Sequence, residues 1–259
     1  MNPVHRVLDP HKPPDIPRGM CAVAIMTKAP QAGKVKTRLT PPLTAEEAAL
    51  LSICFLRDTA TLIAKTAREG KARGIAVYTP VGTEAEYRAL LPEEFDLVPQ
   101  RGEALGERVA SAFGDLLDLG FESVCLINSD SPTVPPRAFS QAVKILAEPE
   151  DRVVLGPSDD GGYYLIGLKK LHRSLFENIE WSTKRVLEQT IIRARENNLQ
   201  VHLLPTWYDV DDGVTLRRLC RELFAAKENA PVAYPAPATR AYLTELLQRE
   251  GRDRIWPDE

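Results

Sequence analysis

Cysteine is scarce in this chain: only Cys21, Cys54, Cys125 and Cys220 occur among 259 residues, far apart and never as a CxxC pair. That spacing argues against a zinc site and against a disulfide scaffold, and suits a reducing, cytoplasmic compartment. Cys21 and Cys125 fall inside apolar runs and are expected to be small core residues. Histidine is equally sparse, with four in all, two of them in the first eleven residues, so neither a Ser/His/Asp triad nor a His-rich metal site is expected. No stretch of 18 apolar residues is present, which excludes a helical membrane span. Neither charge sign dominates: 33 Lys and Arg against 36 Asp and Glu leave a net charge of -3. Such a balance offers no broad attraction to nucleic acid. No internal repeat and no low-complexity tract is seen. The first 19 residues hold five prolines and no apolar run, so they lack the core of a signal peptide and are expected to be a disordered or extended tail.

What is present is an alternation of strand-like and helix-like segments. With 44% apolar residues, the length suits an α/β unit with a large core. Apolar runs predict strands at 21–26, 75–78, 95–98, 123–127, 153–156, 163–168 and 200–204. Helical spacing predicts helices between them. The clearest starts at Thr44 and Glu47, a capping box, and continues with Ala48, Leu51, Phe55, Thr59 and Leu62 before Gly70. Further helices are expected at 84–91, 103–119, after Pro135 and Pro136, at 182–197, 214–226 and 239–250. The link between the fifth and sixth strands is too short for a helical crossover, so the sixth should run antiparallel. The pattern is that of a three-layer, Rossmann-like α/β/α domain over 20–228 with a mainly parallel mixed sheet of about seven strands. A proline-containing linker and a last helix are expected over 229–259.

Four cations crowd the loop after the first strand: Lys28, Lys34, Lys36 and Arg38. A basic loop with Pro30 and Gly33 at the C-terminal end of a first strand is where α/β proteins bind phosphates. Lys28, Gly33, Lys36, Thr37 and Arg38 are therefore candidate phosphate-binding residues; arginine can grip phosphate oxygens in pairs, while lysine supplies a point charge. The ATPase P-loop is excluded, because Gly33-Lys34 is followed by Val35 and the residue five before Gly33 is Lys28.

Carboxylates stand at the ends of later strands. Asp130 follows the fully apolar run 123–127, at the edge where open α/β sheets bind ligands. An acid beside a phosphate site is repulsive unless a divalent cation bridges the two, so Asp130 is a candidate ligand for Mg²⁺ or Mn²⁺. In the turn 209–212, Asp209 and Asp211 are two apart and face the same side in extended chain, while Asp212 could cap the next helix; one of the three could be a second metal ligand, and Asp211 is preferred. In 156–164, Asp160 could contact or deprotonate an acceptor, and Gly161, Gly162 and Tyr163 could line a substrate pocket, although a hairpin turn uses the same residues. Trp181 could stack on a ring or simply pack beside the next helix.

Taken in order, the strand followed by the 27–39 loop, Gly102-Glu103-Ala104-Leu105-Gly106-Glu107-Arg108, Ser129-Asp130-Ser131-Pro132-Thr133, the 156–167 segment, Trp181-Ser182-Thr183 and Asp209-Val210-Asp211 resemble a bacterial family of glycosyltransferase-like proteins. It is often labelled the arsenosugar-biosynthesis type, within the nucleotide-diphospho-sugar transferase superfamily with the GT-A fold. The resemblance covers about residues 20–225. It implies a nucleotide-binding first half, a metal at Asp130 completed by Asp211, and transfer of a sugar from a nucleotide-sugar to a small acceptor. The chain has Ser-Asp-Ser where many glycosyltransferases have Asp-x-Asp. Guanylyltransferase-like relatives imply an alternative, the joining of an NTP to a phosphorylated metabolite with release of pyrophosphate. A non-catalytic nucleotide-binding protein is a third.

Overall fold

The computed structural model describes residues 5–225 and 233–256. Its strands are β1 (Cys21–Lys28), β2 (Ala72–Thr79), β3 (Asp96–Pro99), β4 (Ser123–Ile127), β5 (Arg152–Pro157), β6 (Tyr163–Leu168) and β7 (Gln200–Leu203). They form one seven-stranded sheet in the order β3-β2-β1-β4-β6-β5-β7. All neighbours pair in parallel except β6, which runs antiparallel to both β4 and β5. The short β5–β6 link therefore acts as the sequence suggests. Its physical consequence is that β6 inserts between β4 and β5 and closes the gap between the two parallel halves.

The helices are α1 (Ala45–Glu69), α2 (Glu84–Tyr87), α3 (Leu105–Asp118), α4 (Pro136–Leu146), α5 (Val186–Glu196), α6 (Gly213–Phe224) and α7 (Pro237–Glu250). Residues of α1, α4, α6 and α7 share one apolar cluster with Val23 and Ile25. Those of α3 and α5 share the other with Ala22, Ala24 and Val124. The sheet is thus covered on both faces, which is why β1 and β4 read as continuous apolar runs. The start of α1 is a formed capping box: the Glu47 amide donates to the Thr44 hydroxyl (3.2 Å) and the Thr44 amide to the Glu47 carboxylate (2.9 Å).

Two segments differ from the sequence pattern. α2 stops at Tyr87, not 91, because the amides of Arg88 and Leu90 bond carbonyls three residues back, in turns, just before Pro92. α5 starts at Val186, not 182, because Ser182 takes a left-handed φ of 63°. The early segment, expected to be disordered or extended, docks on β3, where Val7 pairs with Leu97 and Arg6 bonds Asp96, and then turns at residues 10–12. Part of the expected 229–237 linker lies outside the described residues. No helix among the described residues is long and apolar enough to cross a membrane.

α7 is held to α1 by a buried charge. Asp58, 1% exposed, accepts from the amides of Ala238 (3.0 Å) and Thr239 (2.8 Å) at the N-terminus of α7. This is a helix cap supplied from another helix. Asp58→Ala would strand the buried Thr239 amide and the part-buried Ala238 amide and should lower unfolding free energy by about 2–4 kcal/mol in urea titrations. An unchanged midpoint would mean that α7 is not docked in solution.

Candidate active site

The chain runs outward from β1 to β2 and β3, then returns through β4 to the other half of the sheet. The C-terminal ends of β1 and β4 therefore flank the topological switch point, where neighbouring loops diverge and leave a crevice. The basic loop leaves β1 here. Lys28 bonds the Lys34 carbonyl (3.2 Å), and Leu39, fully buried, anchors the far end beneath α1. Between them, Arg38 stands 74% exposed at its side chain.

Two acidic loops meet the basic one. After β4, residues 128–131 are joined to residues 207–212 by the Val210 amide donating to the Asp130 carbonyl (2.8 Å). The three acids of the second loop take separate jobs. Asp212 caps α6, accepting from the Thr215 amide (2.8 Å). Asp209 points back into the protein, accepting from Asn128 Nδ2 (3.0 Å) and from the Ser131 hydroxyl. Asp211 faces the basic loop and pairs with Arg38 (2.7 Å) and Lys36 (3.0 Å). Lys36 also reaches Asp130 Oδ1 (2.6 Å) and the Val210 carbonyl (2.8 Å). Lys36 and Asp211, 175 residues apart in sequence, thus meet Asp130 at one point. Burial works to lower the Lys36 pKa, but the charges of Asp130 and Asp211 prevail and raise it above its ordinary value.

Burial pushes the Asp209 carboxyl up to about 6, and Asp130 and Asp160 add to the rise against the bonds from Ser131 and Asn128. A raised carboxyl pKa means that the folded state holds the proton more tightly than the unfolded chain. Its stabilising contribution is complete below the ordinary value of 3.8 and is lost as pH rises through about 6. The stability of wild type relative to Asp209→Asn should therefore fall by about 2–3 kcal/mol between those limits. Urea titrations in the presence of a chelator measure it; a pH-independent difference would show that the carboxyl is not buried in the folded state.

The three loops wall a cleft of about 870 Å³. It contains Lys28, Lys36, Thr37, Arg38, Asp130, Asp160, Gly162, Tyr163, Trp181 and Asp211 of the residues picked out by sequence. Gly33 and Gly161 do not line it. Gly33 turns the outer side of the basic loop beside a smaller hollow. Gly161 holds the β5–β6 turn against Lys184. Asp160 is exposed and accepts from the Gly162 amide (2.8 Å), so the turn and the candidate acceptor contact are one structure. Trp181 is half-buried; it packs where α3 has Gly106, whose missing Cβ would lie 2.6 Å from Trp181 Nε1.

Sequence reasoning left Gln100 and Arg108 without a role, yet both line the cleft. Gln100 follows β3, and its Nε2 donates to the carbonyls of Thr27 (3.1 Å) and Val77 (2.8 Å), tying the ends of β1 and β2. The same strand-end rule that picked out Asp130 would have found Gln100. Arg108 lies one turn into α3, and its guanidinium bonds the Gly102 carbonyl (3.1 Å).

A family described as "Uncharacterized protein conserved in bacteria (DUF2064)" matches residues 62–183. A crystal structure from Desulfovibrio desulfuricans G20, provisionally described as a nucleotide-diphospho-sugar transferase, is 30% identical, with a TM-score of 0.76 over 90% of this chain and 98% of that one. The chain belongs to the same family as that protein. The family's fold extends to more distant structures. CMP:2-keto-3-deoxy-manno-octonic acid synthetase, solved with CTP, superposes with a TM-score of 0.51 at 11% identity, covering 80% of this chain and 98% of that one. At that identity the likeness concerns the fold alone. No curated protein matches the chain. The three-layer α/β architecture is thus that of nucleotide-diphospho-sugar transferases, as the sequence motifs imply.

Proposed function

We propose that this protein is a metal-dependent transferase that takes a nucleotide-diphospho-sugar and passes the sugar to a small acceptor, acting in the cytoplasm. The observation that carries the reading is the meeting of Lys36 and Arg38 with Asp130 and Asp211 at the switch point of the sheet. The family relationship supports it, and the four free, buried cysteines suit a reducing compartment. The narrower arsenosugar-type assignment rests on the sequence motifs alone.

The roles follow from charge and position. Lys28, Lys34, Thr37, Arg38 and Arg108 line the cleft and would receive the diphosphate. Asp160, with Gly162, Tyr163 and Trp181, forms the end where acceptor and sugar would sit. As the bond from the sugar to the diphosphate breaks and the acceptor oxygen bonds the sugar, Asp160 takes the acceptor proton. The basic loop stabilises the charge left on the nucleoside diphosphate. Asp130 and Asp211 offer only oxygen donors and lie within reach of one ammonium group, so they fit a hard cation that keeps waters and ligand oxygens in its remaining positions. No cluster of three or more His, Cys, Asp or Glu side chains able to hold a metal ion occurs among the described residues, so the protein would supply two carboxylates and the ligand and water the rest. When bound, Mg²⁺ or Mn²⁺ would supply Lewis-acid stabilisation of phosphate charge.

The density of cations on the cleft equally suits a triphosphate. This favours a second reading, attack of a phosphorylated metabolite on an NTP, which needs no general base. Incubating the protein with Mg²⁺ or Mn²⁺, a panel of NTPs and nucleotide-sugars, and a metabolite extract separates the two. Release of a nucleoside diphosphate supports sugar transfer, release of pyrophosphate supports nucleotidyl transfer, and binding without turnover leaves a nucleotide-binding protein.

A further inference from the structure

The Lys36 ammonium has three N–H groups, and the structure provides three acceptors: Asp130 Oδ1 at 2.6 Å, Asp211 Oδ1 at 3.0 Å and the Val210 carbonyl at 2.8 Å. The side chain is 7% exposed and its Nζ lies 5.5 Å from the centre of the Phe55 ring. In this arrangement Lys36 cannot also grip a phosphate. Its backbone has φ 49° and ψ 37°, a left-handed conformation that costs a residue with a Cβ, in keeping with a position held by surrounding contacts. The carboxylates that fit a divalent cation are thus already bridged by the protein's own cation.

We infer that Lys36 is an internal counter-ion that couples the two ligands: it occupies the carboxylate pair in the free protein and releases it when phosphate arrives. The inference rests on the proposed roles of Asp130 and Asp211 as cation-holding residues and deepens that reading. A divalent cation alone must expel a buried ammonium that then has no acceptor. A phosphate alone must draw Lys36 away from two carboxylates, leaving Asp130 without a counter-ion and Asp211 with Arg38 alone. When both bind, each displacement supplies what the other needs, since Lys36 moves to phosphate oxygen as the divalent ion takes the carboxylates. Arg38, exposed and paired with Asp211 alone, and Lys28 and Lys34 make the first contact with phosphate without this exchange. Linkage requires the coupling to be reciprocal.

The test uses the full chain, Mn²⁺ without nucleotide, and free Mn²⁺ measured by electron paramagnetic resonance. Lys36→Met should bind Mn²⁺ more tightly than wild type, by roughly 5- to 150-fold, the usual range of such couplings. Lys36→Arg, which keeps a cation in place, should bind no better than wild type. Equal or weaker binding by Lys36→Met overturns the coupling and leaves the cation site standing. Absence of Mn²⁺ binding in wild type and both variants overturns the cation site itself. A measurement on wild type guards against misfolding of the variant. Added Mg²⁺ should raise acylation of Lys36 by an amine-reactive ester, read by peptide mass spectrometry, while Lys28 and Lys34 serve as references. Unchanged Lys36 labelling would count against its displacement.

Discussion

Asp130→Asn should cut turnover at least a hundredfold while leaving the protein folded. The substitution keeps the size of the side chain and removes its charge. The loop is held by the backbone, with the Asp130 carbonyl accepting from the Val210 amide at 2.8 Å and the Asp130 amide donating to Asn128 Oδ1 at 3.2 Å. Neither bond uses the Asp130 carboxylate, whose side chain is 35% exposed. The carboxylate does pair with the buried Lys36 ammonium at 2.6 Å, but the asparagine oxygen can still accept from it, and Asp211 and the Val210 carbonyl remain, so a loss of about 1–3 kcal/mol with the fold intact is expected. What is lost is one of two anionic oxygens that would position a cation against the developing phosphate charge. Losing a single preorganised electrostatic contact of this kind commonly costs about 10²–10³ in rate. Steady-state kinetics on whichever donor the panel identifies, at saturating Mn²⁺ and with thermal unfolding as a control, measures the effect. A variant with wild-type turnover would remove Asp130 from the chemistry and with it the assignment of the metal site.

The features readable from sequence are those fixed by neighbours in the chain. Thr44 and Glu47 are three residues apart, so their reciprocal bonds are local and visible as a motif. The antiparallel sense of β6 follows from the few residues between Pro157 and Tyr163, which cannot span a crossover. The position of Asp130 follows from a rule about strand ends. What could not be read is set by folding. Nothing near Lys36 marks its ammonium for carboxylates on two other loops rather than for solvent or phosphate. The separate duties of Asp209, Asp211 and Asp212 depend on which side of one loop faces Ser131, which faces Arg38 and which opens α6. The place of Asp212 just before α6 marks it as the cap and Asp211 is the preferred ligand, but the inward turn of Asp209 toward Asn128 and Ser131 is not visible in spacing. The left-handed Ser182 that delays α5 likewise answers to tertiary packing, since the Leu187 amide bonds the Gly161 carbonyl at 2.9 Å.

That last contact makes Gly161 the position where a small change should have the largest structural effect. Gly161 has φ 92°, outside the range that residues with a Cβ adopt readily. A Cβ there would also lie 2.2 Å from the Lys184 carbonyl oxygen and 2.6 Å from its Cα, both backbone atoms that no side-chain rotation can move. Gly161→Val should therefore combine a backbone penalty of about 1–2 kcal/mol with an overpacking cost of about 1–3 kcal/mol. A loss of about 2–5 kcal/mol in urea unfolding is expected, a large fraction of the stability of a domain this size. The strain would be relieved by separating the 182–185 turn from the β5–β6 hairpin, because these are the two parts in collision. Trp181 and Asp160 stand on opposite sides of that seam, so binding at the acceptor end should fail before binding at the basic loop does. Conditions in which Gly161→Val remains folded, such as low temperature, would show this as nucleotide affinity near wild type with acceptor use lost. Gly161→Ala should show the same pattern, with a smaller loss of stability. If Gly161→Val unfolds at the wild-type midpoint, the close packing of Gly161 on Lys184 is not a property of the folded protein. If nucleotide affinity falls together with acceptor use, the two ends of the cleft are not separate.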